Sequence, residues 1–330
     1  MKFVATVLLT LGAIAACVSA IPTQSKAAYQ INEHRLVGPS LAEKLDTLYR
    51  EIKANGTKYH LADLHNANAK RAQVLTTTSS ASLVKFANYA GAAATVKNNS
   101  WDCAIACQTA ATAGTVVYYR WENAVKSSTG YVAYNDNNKE IVVGYRGSHS
   151  FFDWMTNFNF ARSKWPSNVS GSEVHTGFIN AYQATASAVN NAILTLANKY
   201  PAYNIVFTGH SLGGSLAAIN AADFVTMFPT LTNRVQLYTY GQPRTGNDAF
   251  ASWIQNKGFP IYRVVYHRDL VPRLLLTTIG YRHHSQEVWY QPSGGTKFCG
   301  ANGESRDCEN SVLYFQLTAN DHDDYPGLAH

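Results

Sequence analysis

Beyond residue 72 the chain alternates segments with apolar residues at helical spacing and short continuous apolar runs. Phe178 to Lys199 carries Phe178, Tyr182, Ala186, Val189, Ile193 and Leu196 on one face, which predicts one long amphipathic helix. Ser82 to Ala94 reads as another helix, and Tyr131 to Tyr134 with Glu140 to Tyr145 reads as a hairpin. There follow a strand at Asn204 to Phe207, a helix from Ser211 to about Met227, a strand at Val235 to Tyr240, a helix near Asp248 to Gln255 and a strand at Ile261 to Tyr266. This alternation implies an α/β sheet. No internal repeat or low-complexity tract interrupts it.

The N-terminus reads differently. Met1 and Lys2 precede an apolar run from Phe3 to Cys17 and the small-residue pattern Val18-Ser19-Ala20, so residues 1–20 are expected to be a secretory signal peptide. The run is shorter than the roughly 20 residues that cross a bilayer, and no integral membrane segment is expected. Residues 21–71, rich in Lys, Glu, Asn and Ala, close on the dibasic pair Lys70-Arg71. They read as a pro-segment, with Leu41, Leu45, Leu48 and Ile52 spaced as one helical face over the mature protein. An N-terminal helix of the mature fold is the alternative. Residues 72–330 then form a single domain of ample size for one core.

Charge is informative once this division is made. Residues 1–71 hold 9 of the 27 Lys/Arg and 5 of the 21 Asp/Glu, leaving 18 against 16 and a net charge of +2 for the remainder. That balance, with no basic cluster interleaved with aromatics, argues against a nucleic-acid partner. Beyond the signal peptide stand Cys103, Cys107, Cys299 and Cys308, an even set suited to two disulfides in a secreted, extracellular protein. Three pairings are possible; Cys103 with Cys107 and Cys299 with Cys308 are favoured because each pair lies within one short loop. Zinc ligation lacks partner histidines at finger spacing, so no metal is expected. Asn98 and Asn168 head glycosylation acceptor patterns, Asn98-Asn99-Ser100 and Asn168-Val169-Ser170.

Candidate chemistry concentrates where Ile205-Val206-Phe207 runs into Gly209-His210-Ser211-Leu212-Gly213-Gly214 and the small-residue segment Ser215-Leu216-Ala217-Ala218. A G-x-S-x-G pattern between a strand and a helix is a nucleophile elbow: the turn strains the serine, and the glycines stand where side chains would clash. Ser211 is the candidate nucleophile. The N–H of Leu212, at the helix start, is the expected first oxyanion donor. His210 cannot readily act as base from the adjacent position, so structural support of the elbow is its expected role. In this arrangement the acid and then the histidine follow the serine in the chain. Asp223 and Asp248 fall in or at the start of helices, whereas Asp269 falls just after a strand, where active-site groups collect. Asp269 leads, with a surface ion pair to Arg268 as the bland alternative. The base is open among His267, His283, His284, His322 and His330; His322 lies in the polar segment Asn320 to Tyr325, suited to a late loop above a sheet.

Arg146-Gly147-Ser148 is followed by Phe151, Phe152, Trp154, Met155, Phe158 and Phe160 among polar residues. These fit one face of a short helix, either packed in the core or serving as a lid over the site.

Taken together, Trp101-Asp102-Cys103, Val143 through Ser150, Val174 through Phe178, Thr208 through Gly214, Gly241 through Asn247, Arg268 through Pro272, His284 through Trp289 and Asp321-His322 resemble the secreted fungal class 3 lipases of the Rhizomucor and Rhizopus kind, a family that includes feruloyl esterases. The resemblance runs from about Ser100 to the C-terminus. It implies an α/β-hydrolase fold with a mostly parallel central sheet, helices on both faces and a short helical lid. It also implies Ser211, Asp269 and His322 as a triad, Ser148 with Leu212 as oxyanion hole, and Phe151, Phe152, Trp154, Met155 and Phe158 as lid. The disulfide that ties the ends together in family lipases has no cysteines here, so looser termini are expected. The implied reaction is acyl transfer through Ser211 without a cofactor, by a monomer acting on triacylglycerol at a lipid–water interface. Feruloyl or other soluble esters, phospholipids, and a catalytically silent lipid-binding protein are the alternatives.

Overall fold

The computed structural model describes residues 77–124, 127–147 and 160–329. The signal-peptide and pro-segment expectations fall outside the described residues. Helix α1 (Ser80–Thr95) is capped by Ser79, whose hydroxyl accepts the Ser82 N–H, and α2 is Ala104–Gln108. Strands β1 (Thr115–Asn123), β2 (Ser128–Asn135) and β3 (Glu140–Tyr145) follow, then the short β4 (Arg162–Lys164) and β5 (Glu173–His175). Next come α3 (Thr176–Gln183), α4 (Ala186–Lys199), β6 (Asn204–His210), α5 (Leu212–Met227), β7 (Val235–Tyr240), β8 (Gly246–Asn247), α6 (Asp248–Gln255) and β9 (Ile261–Tyr266). Strands β10 (Tyr281–Arg282), β11 (Glu287–Tyr290) and β12 (Thr296–Phe298) complete the set.

The main sheet has the order β1-β2-β3-β6-β7-β9-β11-β12. Its centre, β3 through β11, is parallel, and its margins are antiparallel. A small second sheet runs β10-β8-β5-β4. Central strands buried on both faces lose the in–out polarity signal but keep the alternation of direction. Ile141 and Val143 of β3, with Ile205 and Phe207 of β6, join the core beneath α3, α4 and α5. Val142 and Val206 point the other way, into the core beneath α1. Among the described residues no helix is long and apolar enough to cross a membrane.

Several elements depart from the pattern reading. The single helix expected over Phe178 to Lys199 is two, broken at Thr185, whose hydroxyl bonds Ser128 Oγ of β2 at 3.0 Å. Both helices lie on the same face of the sheet, so the apolar spacing runs through the break. Strand β6 continues past its apolar run because Thr208, fully buried, donates its hydroxyl to the carbonyl of Phe86 in α1. Strand β1 and the second sheet are made of mixed residues that carry no periodic signal. Leu328 and Ala329 of the C-terminal tail pack on the core beneath α1, and the Ala329 carbonyl lies where a Cβ at Gly91 would be.

A polar cluster locks α5 to the sheet and to α3 and α4. Tyr145 donates to Asn220 Oδ1 at 3.0 Å, Asn220 Nδ2 donates to Asn190 Oδ1 at 2.6 Å, and Tyr182 donates to Asp223 at 2.6 Å. Asn220 is fully buried. Asn220→Ala leaves the Tyr145 and Asn190 groups without this partner and is expected to cost about 2–3 kcal/mol, read as a lower urea midpoint at unchanged slope.

Candidate active site

The C-terminal ends of three neighbouring parallel strands, β6, β7 and β9, lead into the residues that sequence reasoning singled out. Ser211 joins β6 to α5 with φ 57° and ψ −127°, a backbone conformation costly for any residue with a Cβ and characteristic of a sharp strand-to-helix turn. Two glycines make the turn possible. A Cβ at Gly209 would strike the backbone of Gly213, and one at Gly213 would strike the backbone of Tyr145 and Arg146 at the end of β3. The Ser211 N–H is held by the Tyr240 carbonyl at 2.8 Å. Leu212 opens α5, where helix N–H groups are unsatisfied by the helix itself. Gly147, at the end of β3, packs against this turn: a Cβ there would lie 3.3 Å from Ser211 Cβ. The next residue, Ser148, and the lid candidates Phe151, Phe152, Trp154, Met155 and Phe158 lie outside the described residues.

Asp269 follows β9 and is fully buried, against the alternative of a surface pair with Arg268. Its carboxylate accepts three hydrogen bonds: Val271 N–H on Oδ1 at 2.8 Å, and on Oδ2 the Tyr325 hydroxyl at 2.6 Å and His322 Nδ1 at 2.9 Å. His322 sits in a short 3-10 turn (Asn320–His322), and its position depends on other segments. Thr318 bridges Asp269 in parallel, with Leu270 N–H to the Thr318 carbonyl and Thr318 N–H to the Arg268 carbonyl. Asp321 accepts the Arg268 N–H at 2.9 Å. His210 Nε2 bonds the His322 carbonyl at 2.8 Å, and the two rings lie 4.3 Å apart. The residue beside Ser211 therefore anchors the loop carrying His322, which gives the expected supporting role of His210 a specific contact.

Gly241, at φ +57°, closes the arrangement. A Cβ there would lie 2.7 Å from His322 Cε1 and 2.8 Å from Asp269 Oδ2, so only glycine lets the pair sit against the end of β7. Its part and that of Tyr325 escaped sequence reasoning. Gly241 stood within a recognised motif, but the ring that crowds it comes from a distant segment.

The other candidate histidines have structural surroundings. His283 Nε2 bonds the Pro272 carbonyl at 2.7 Å, and burial, with help from Arg263, pushes its pKa well below the ordinary value. His284 bonds Gln242, and burial pushes it down to about 4. His267 stacks on Tyr266 with centroids 3.8 Å apart. Asp223 is tied to Tyr182. His330 lies outside the described residues. Sulfurs pair as Cys103–Cys107 and Cys299–Cys308, which commits both sulfurs of the Glu287, Cys299 and Cys308 group that could otherwise ligate a metal. Asn98 and Asn168 are both exposed.

Buried charge surrounds the Asp269 turn. Arg273 donates to the carbonyls of Glu309 and Val312 and to Glu309 Oε1 at 3.4 Å, while Arg244 makes a two-pronged pair with Glu304 and donates to the Arg273 carbonyl. Burial, opposed by Arg273 and aided by nearby Glu287, pushes Glu309 up to about 8.

A serine on a strained strand-to-helix turn, beside a buried histidine–carboxylate pair drawn from the following loops, defines an α/β-hydrolase. The lipase (class 3) family model matches residues 142–278. The lipase of Rhizomucor miehei is 34% identical over 232 residues, covering 69% of this chain and 62% of that protein. The secreted mono- and diacylglycerol lipase 1 of Fusarium solani is 42% identical over 171 residues, covering 51% of this chain and 50% of that protein. This chain thus spans less than two thirds of either relative. A solved structure described as a serine protease triad forming the catalytic centre of a triacylglycerol lipase superposes with TM-score 0.71 at 31% identity, covering 77% of this chain and 98% of that one. The chain belongs to the class 3 lipase family.

Two predictions follow from this geometry. Gly241→Ala is expected to lower esterase kcat/KM by about 100-fold or more through displacement of the His322–Asp269 pair, with circular dichroism unchanged. Because the folded pKa of Glu309, about 8, lies above its ordinary 4.5, its contribution to stability is complete below pH 4.5 and is lost as pH rises to about 8. Glu309→Gln should flatten that part of the pH–stability curve, measured by urea unfolding between pH 5 and 9.

Proposed function

We propose that this chain is a secreted lipase that hydrolyses acylglycerol esters through an acyl-enzyme on Ser211. The observation that carries the reading is the buried His322–Asp269 hydrogen bond, seated on Gly241 and tied by His210 to the elbow that presents Ser211. His322 Nε2 takes the Ser211 proton as Oγ attacks the ester carbonyl, then returns it to the departing glyceryl alcohol. Water, deprotonated by the same histidine, releases the fatty acid and restores Ser211. Asp269, oriented by Val271 N–H and Tyr325, receives the Nδ1–H bond and stabilises the imidazolium. The Leu212 N–H, joined by Ser148, stabilises the oxyanion. The enzyme works as a monomer and needs no metal or cofactor.

Triacylglycerol is the substrate favoured by the aromatic segment from Phe151 to Phe158, which we assign as a lid opening at a lipid surface. Mono- and diacylglycerols are a second reading, favoured by the 42% identity to the Fusarium protein. Residues 1–20 direct export, residues 21–71 are removed at Lys70-Arg71, and residues 72–330 are the working enzyme.

The test is the rate of the processed protein on tributyrin as its concentration crosses the solubility limit. A jump at the emulsion boundary that is absent in Ser211→Ala supports a lidded lipase. A saturating curve without a jump moves the assignment to soluble esters, and activity retained by Ser211→Ala overturns the nucleophile.

A further inference from the structure

Among the described residues the large apolar side chains left exposed are Ile105, Val116, Tyr118, Met227, Leu313 and Phe315. Four of them belong to other elements: Ile105 to α2, Val116 and Tyr118 to the edge strand β1, and Met227 to the end of α5 opposite Ser211. Leu313 and Phe315, 56% and 66% exposed, are different, because their loop continues through Thr318, which bridges Asp269, to His322.

This loop is held so that its apolar side chains diverge. The disulfide at Cys308 fixes its start, and the Val312 carbonyl accepts from Arg273. Tyr314 lies over the Arg273 guanidinium at 4.2 Å, and Leu317 is buried. The turn over Tyr314–Gln316 is closed by Gln316 N–H to the Leu313 carbonyl at 2.8 Å and by Leu313 N–H to the Gln316 side chain at 3.3 Å. With positions 314 and 317 turned inward, 313 and 315 are turned to solvent on a backbone with several fixed hydrogen bonds. Rigid presentation matters, because an anchor already ordered in water loses little freedom when it enters another phase.

We infer that Leu313 and Phe315 are a fixed lipid anchor that seats the loop leading to His322 on the substrate surface, independently of the lid. The inference rests on the lipase reading and deepens it. Its occupant is the lipid surface because the pair is continuous with the loop that carries His322, so insertion there brings the His322–Asp269 side of the site to the interface.

The experiment uses the processed protein carrying Ser211→Ala, so that adsorption to triolein droplets is measured without turnover. Adding Leu313→Ser with Phe315→Ser should weaken adsorption about tenfold or more, as expected for removing two large apolar side chains from the buried area. The control pair Ile105→Ser with Met227→Ser, similarly apolar and on elements separate from the loop leading to His322, should leave it unchanged. In the active protein the loop variant should lose rate on emulsified triolein and keep its rate on dissolved p-nitrophenyl butyrate within about twofold, a change of roughly 0.4 kcal/mol. Unchanged adsorption, equal loss from the control pair, or equal loss on the dissolved ester would overturn the anchor. So would a dimer in sedimentation that the loop variant dissociates while adsorption stays the same. Failure of the lipase reading looks different: the parent protein would then adsorb but hydrolyse neither ester.

Discussion

The close approach of backbone to backbone around Ser211 is the constraint from which the site is built. Gly209 meets Gly213, Gly213 meets the end of β3, and Gly147 meets Ser211 itself. No side chain fits between β3, β6 and the first turn of α5. That contact forces the serine out of ordinary backbone space and puts the start of a helix beside it. It also brings the end of β3, through Gly147, to the same point. An oxyanion site made of main-chain groups needs such an approach, since its donors cannot be moved by a rotamer change.

Ser211 is held by regular structure, whereas His322 is held almost entirely by polar straps. Its loop touches the Asp269 turn through Thr318 and Asp321, and touches the elbow through His210. Tyr325 then returns to the same carboxylate from three residues beyond His322. A loop with little secondary structure is ordinarily free to drift. Here each strap ends on a residue of the site or its immediate neighbour, so a shift of the loop would break several buried hydrogen bonds together.

How much of this was legible in the sequence follows from which interactions are local. The elbow was readable because strand, turn and helix are consecutive and Gly209 meets Gly213 locally, whereas the contact of Gly213 with the end of β3 is long-range. Asp269 was readable from its place after a strand. His322 was not singled out by spacing, since five histidines were open, and resemblance to a family was needed to prefer it. What sets His283 and His284 apart from His322 is their partners, the Pro272 carbonyl and Gln242 rather than Asp269, a long-range fact. The break at Thr185 was hidden for the opposite reason: both helices face one core, so a single apolar rhythm spans them. Strand β6 ran longer than its apolar run because α1 supplies an acceptor for Thr208, and sequence periodicity cannot see a partner so far away.

The buried charges around Arg273 belong to the same logic. Taking Arg244, Arg263, Arg273 and their carboxylate partners out of water is costly, and well-packed apolar residues would often serve stability as well. What apolar residues could not supply is direction. Arg273 receives a hydrogen bond at its carbonyl from Arg244, and its guanidinium donates at once to Glu309 and Val312. It thereby joins the turn that holds Asp269 to the disulfide loop and to the segment leading to His322. Asp269 and His322 come from segments far apart in the chain, and one guanidinium stands between their supports. Its apolar cover, Tyr314, lies between the two side chains that face outward. The guanidinium that ties the turn after Asp269 to the segment before His322 is thus also the one against which Tyr314 packs, between the outward Leu313 and Phe315.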